Sequence, residues 1–161
     1  AIPTLAETMA QFGDKILWDI ELKEAGYENQ VIAEVGEHLA PDRFVLTSFD
    51  DSVIRTIRLQ HPELEAGLIL GDEAPRNWLI TRLRELYPMG AQLGRIVFTG
   101  DKLSIPAVRD VRNIRNFRGK VWFWTVNGNA NLSRIFRTPG VHGIVTDDVR
   151  RAVEIRNSLE S

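Results

Sequence analysis

The sequence contains no cysteine, which excludes disulfides and thiolate zinc sites and fits a reducing compartment. No apolar run approaches the roughly eighteen residues of a membrane helix, so no membrane span is expected. There is no excess of charge of either sign: 20 basic residues face 22 acidic ones, for a net charge of -2. No overall field therefore draws nucleic acid or an anionic membrane. A Walker loop, a dinucleotide fingerprint, a nucleophile elbow and a zinc helix are all missing. So are linkers, low-complexity tracts and charge blocks, and 1–161 reads as a single domain. The expected localisation is cytoplasmic, with a periplasmic or secreted one left open. The first residue is Ala1 rather than Met, which fits a chain processed or cut from something longer.

What is present is a β-α rhythm. Strands are expected at Ile16–Lys23, Arg43–Ser48, Ala66–Leu70, Arg95–Thr99, Val121–Asn127 and Gly143–Thr146. Helical patterns separate them at Tyr27–Leu39, Asp51–Gln60, Arg76–Leu86, Ile105–Phe117 and Ala130–Arg137, and a last helix runs from Asp148 to Leu159. Thr4 and Glu7 form a capping box before a first helix. Pro106 sits in a first turn and Gly119 closes that helix. Alternation of this kind argues for parallel strands. The strand starts are roughly 25 residues apart, and a closed eight-unit barrel at that pitch needs roughly 200 residues or more. Either the sheet is open, or about two strands are missing from the front.

The segment Trp18-Asp19-Ile20-Glu21-Leu22-Lys23 carries the sharpest chemical signal. Asp19, Glu21 and Lys23 share one strand face, with Trp18, Ile20 and Leu22 on the other. Charges on a covered face are costly unless something pairs with them. Glu21 suits a hard divalent cation, and Lys23 suits a phosphate oxygen. A plain Glu–Lys pair on a half-exposed strand accounts for the residues equally well.

Other segments are less specific. Trp122 and Trp124 share a strand face, where spacing favours core, although Trp124 is placed to wall a pocket with Asn127 beside it. Asp50 or Asp51, and likewise Asp147, read as helix caps before ligands. His38, His61 and His142 are not placed to act with Glu21 and read as structural or exposed. The arginines at 109, 112, 115 and 118 read as a solvated helix face.

Five motifs then occur in order: Ile2-Pro3-Thr4-Leu5-Ala6-Glu7-Thr8, Ile20-Glu21-Leu22-Lys23, Ser48-Phe49-Asp50, Trp124-Thr125-Val126-Asn127 and Gly143-Ile144-Val145-Thr146-Asp147. Each is weak alone. Together they closely resemble the C-terminal three quarters of glycerophosphodiester phosphodiesterases. The resemblance implies a (β/α)8 TIM barrel, here partial with six of eight parallel strands. It implies metal-dependent hydrolysis of glycerophosphodiesters to an alcohol and glycerol 3-phosphate, with Ca2+ or Mg2+ as cofactor. Glu21 matches the family's metal-binding glutamate, Lys23 the lysine facing the phosphate, and Trp124 the aromatic beside the glycerol part. Phe49 is placed with the substrate-binding residues by the same match.

The departures are equally informative. The family's first two units carry His-Arg-Gly, Glu-Asn-Thr, Glu-x-Asp and His-Asp motifs, and none occurs here. Both catalytic histidines and two of three metal carboxylates are thus absent. The family's His-Pro after the sixth strand is replaced by Phe98-Thr99-Gly100. The expectation is a C-terminal part of such an enzyme, inactive alone. Its partners would be a small-molecule glycerophosphodiester and the missing N-terminal segment, or a second copy through exposed sheet edges. The rival reading is a non-catalytic interaction module on an incomplete barrel scaffold.

Overall fold

A computed structural model describes residues 2–70, 95–99 and 120–160. The helices expected at Arg76–Leu86 and Ile105–Phe117, with Pro106, Gly119 and the arginine stripe, lie outside the described residues. The chain divides into two compact units, residues 1–68 and 69–161.

The first unit opens with helix α1, Leu5–Phe12. The capping box forms as expected: Glu7 N donates to Thr4 Oγ1 at 3.2 Å, and Thr4 N donates to Glu7 Oε2 at 2.8 Å. Strand β1 spans Trp18–Glu21, α2 Glu28–Gly36, β2 Phe44–Ser48 and α3 Asp51–Gln60, and β3 begins at Ala66. β1 pairs with β2, and β2 with the start of β3, both in parallel. All five residues of β2 are buried, as a strand flanked on both sides and covered by helices must be. The core gathers Met9, Val35, Val45, Leu46, Val53 and Ile57 around it.

The buried polar groups of β2 are satisfied. Thr47 Oγ1 donates to Asp19 Oδ1 at 2.8 Å, and Ser48 Oγ donates to the Leu22 carbonyl at 2.7 Å. Asp50 caps α3 by accepting from Ser52 N at 2.8 Å, as its position implied.

The second unit holds the end of β3 (Ala66–Leu70), then β4 Arg95–Thr99, β5 Lys120–Trp124, α4 Asn129–Phe136, β6 Val141–Ile144 and α5 Val149–Glu160. Its strands also pair in parallel. Val121 and Phe123 point into the core with Leu132, Ile135, Ala152 and Ile155.

Several boundaries differ from expectation, and three of them bear on the candidate residues. β1 is shorter than Ile16–Lys23, because its ladder with β2 runs only from Trp18↔Phe44 to Glu21↔Thr47. Lys23 therefore stands beyond the strand. β5 stops at Trp124, and β6 begins at Val141, so His142 is inside a strand rather than before it.

Candidate active site

Parallel pairing places Glu21 opposite Thr47, so Lys23 and Phe49 each lie two residues past one register pair. Both therefore emerge at the C-terminal ends of their strands, the end at which β/α proteins build their sites. The geometry bears this out. Lys23 Nζ lies 2.6 Å from Glu21 Oε1 and 5.9 Å from the centroid of the Phe49 ring. Lys23 is 73% exposed, whereas the Glu21 side chain is 27% exposed. Glu21 Oε1 is buried and makes no hydrogen bond, so the ammonium approaches it without hydrogen-bond alignment.

An exposed ion pair contributes only ~0–1 kcal/mol to stability. Stability alone is thus a poor reason for this arrangement. A carboxylate oxygen with no hydrogen bond, beside an exposed ammonium, can take up a cation on one side and present an anion site on the other. A recess of about 370 Å³ adjoins it, lined by Leu5, Ile20, Glu21, Lys23 and Tyr27. A larger recess of about 550 Å³ occurs in the second unit. The first adjoins the Glu21–Lys23 pair and is therefore the candidate chemical site.

The second unit carries the other sequence candidates. Trp122 and Trp124 are half-buried, while Val121 and Phe123, which alternate with them, fill the core. The core reading of the tryptophans is therefore corrected: they lie on the opposite face of β5. The Trp122 indole lies against β6 at Gly143, where an added Cβ would approach its ring to 2.6 Å. Trp124 ends the strand, and beyond it Asn127 ties two loops together. Asn127 Nδ2 donates to Asp147 Oδ2 at 2.7 Å. Its Oδ1 accepts from Thr146 Oγ1 at 3.1 Å and from Asp147 N at 3.2 Å.

Asp147 is therefore not the cap of α5. Asp148 is, accepting from Arg151 N at 3.0 Å, because the helix begins one residue later than expected. The Asn127 bridge escaped sequence reasoning. Its only signal was an Asn and an acidic residue following neighbouring strands.

The histidines are structural or exposed, as read. His61 Nε2 and Asn29 Oδ1 share a hydrogen bond at 2.9 Å, His142 Nδ1 accepts from Val121 N at 3.1 Å, and His38 is exposed. Among the described residues, no group of three or more His, Asp or Glu could hold a metal ion. Among the described residues, too, no helix is long and apolar enough to cross a membrane.

Fold and site together define a parallel β/α protein with a carboxylate and an ammonium at the C-terminal end of β1. Comparison with known proteins shows what it is similar to. No family model matches the chain. It is 27% identical over 160 residues to a glycerophosphodiester phosphodiesterase of Caldanaerobacter subterraneus subsp. tengcongensis, covering 96% of this chain and 61% of that protein.

Solved structures share the fold. A glycerophosphoryl diester phosphodiesterase from Silicibacter pomeroyi matches with TM-score 0.74 and 24% identity, over 98% of this chain and 57% of its own. A glycerophosphodiester phosphodiesterase from Parabacteroides distasonis matches with TM-score 0.78 and 18% identity, over 99% and 66%. An Oleispira antarctica phosphodiesterase, solved in complex with the product sn-glycerol-3-phosphate, matches with TM-score 0.72 and 20% identity, over 99% and 62%. The resemblance read from the motifs stands: the chain is similar to glycerophosphodiester phosphodiesterases, and it spans about three fifths of the length of the curated relative it matches.

Proposed function

We propose that this chain is the phosphate-facing part of a glycerophosphodiester phosphodiesterase, six β/α units of a (β/α)8 barrel in one domain. The observation that carries the reading is the pairing of Glu21 Oε1 with Lys23 Nζ at the C-terminal ends of parallel strands. Lys23 would receive a phosphate oxygen as a compact point charge. Phe49 and Trp124 would contact the glycerol part of a small glycerophosphodiester. Glu21 would be one ligand of a divalent cation, Ca2+ or Mg2+, which when bound supplies Lewis-acid polarisation of the phosphate.

Such cations take six or more oxygen ligands, or keep several waters, and the described residues do not complete that shell. Among the described residues, no histidine is placed to carry proton transfer at Glu21. His61 is engaged with Asn29, and His142 with the backbone of β5. The reading therefore makes the isolated chain a binder without turnover.

The experiment is hydrolysis of glycerophosphocholine by purified residues 1–161 with calcium or magnesium. No release of glycerol 3-phosphate above the buffer rate is expected. Robust turnover would show that the residues present suffice, and the partial-site reading would fall.

A further inference from the structure

The near-even overall charge hides a division. Residues 1–68 hold five basic and thirteen acidic side chains, a net charge of -8, whereas residues 69–161 hold fifteen and nine, a net of +6. The boundary is the one between the two compact units, so each unit carries its own sign. An opposition of this size between halves points to a polyanionic partner for the basic one.

The described helices of the second unit show where part of that charge sits. Leu132 and Ile135 of α4 are buried, and Arg134 and Arg137 stand exposed on the other side. Ala152 and Ile155 of α5 are buried, and Arg150 stands exposed opposite them. Among the described residues, none of these three arginines is in an ion pair. The acidic side chains nearby are engaged: Asp147 with Asn127, Asp148 as the cap of α5, and Glu154 with Arg151. Arg151 Nε donates to Asn129 Oδ1 at 2.8 Å and ties α5 to the start of α4, so the two helices offer one outer face. No Phe, Tyr or Trp is exposed among residues 120–160, so nucleic-acid bases would find no ring to stack on there.

We propose that the second unit docks on an anionic phospholipid surface through Arg134, Arg137 and Arg150. The planar fork of donors on a guanidinium matches the phosphates of such a surface. The choice of a bilayer over another polyanion rests on the proposed function. A glycerophosphodiester is what remains of a phospholipid once both acyl chains are removed, so its source lies at a bilayer. Docking would hold the chain where such substrates are released.

The test is co-sedimentation of the 161-residue chain with vesicles of phosphatidylcholine, alone or mixed equally with phosphatidylglycerol. Binding is expected only to the mixed vesicles, and it should fall as salt is raised. Arg134→Gln, Arg137→Gln and Arg150→Gln together should weaken it at least about tenfold, since each basic group near an anionic surface contributes separately. Lysine at the same three positions should keep most of it, because the charge is retained. Lys15→Gln with Arg55→Gln, in the first unit, should leave it unchanged. Circular dichroism confirms that the variants fold. No binding, equal binding to neutral vesicles, or binding indifferent to the triple glutamine substitution would each overturn the inference. So would tighter binding to a polyuridine RNA than to the mixed vesicles. Displacement of the vesicles by glycerol 3-phosphate, beyond a sodium chloride control of equal ionic strength, would place the lipid at Lys23 and overturn it too. Glycerol 3-phosphate binding that persists while vesicle binding fails would sink this inference alone and leave the proposed function intact.

Discussion

Lys23 and Gly143 are two residues whose surroundings set what can change. Lys23 is held by one ion pair and one aromatic face and is otherwise in solvent, so Lys23→Ala should leave the unfolding midpoint unchanged within about 0.5 kcal/mol. Gly143 is the opposite case. A methyl group there would press into the Trp122 ring, which the register sets against it on the neighbouring strand. Gly143→Ala should therefore destabilise the chain by about 1–3 kcal/mol, the usual cost of overpacking. Urea unfolding followed by circular dichroism checks both. An unchanged midpoint for Gly143→Ala would mean that the indole moves aside freely. The Glu21–Lys23 pair was legible in the sequence because strand periodicity alone places both on one face. Its contact with Phe49 was not, since that depends on the register between β1 and β2, which spacing within one strand does not contain.

Elements were read well where local chemistry punctuates them and poorly where pairing decides. α3 matched at both ends because Asp50 caps it and its apolar period is clear. β1 and β6 were misplaced because the residues flanking their ladders are just as apolar as those within them. Caps also carry a pH dependence. The hydrogen bond from Ser52 holds the Asp50 carboxyl below its ordinary value, and hydrogen bonds from Thr4 do the same for Glu7. A depressed carboxyl stabilises the fold above its unfolded pKa, about 4. That contribution is lost as pH falls through the lowered folded value. Acid unfolding should therefore begin below about pH 4, and stability should fall less steeply with falling pH in Asp50→Ala, which already lacks the cap and is less stable at pH 7. Identical stability of the two proteins at pH 7 would contradict the cap. In the second unit, Asn127→Ala removes three side-chain bonds between the loops after β5 and β6. Exposed hydrogen bonds are worth about 1 kcal/mol each at most. Amide exchange at residues 145–148 should accelerate, with little change in the core of β5.

For the molecule as a whole, the sequence carried the fold class: the β-α rhythm implied the parallel strands found. The absence of any histidine beside Glu21 gave the expectation of a site without proton transfer. The Asn127 bridge could not be read in advance, because it arises only when distant segments are brought together. The central claim is that this chain binds a glycerol phosphate through Lys23 without being able to cleave its diester. Titration of the 161-residue chain with sn-glycerol 3-phosphate, followed by amide chemical shifts, tests it most directly. The account predicts saturable shifts at residues 21–23 and 49, abolished by Lys23→Ala. Shifts absent from those residues, or the same in Lys23→Ala, would contradict it.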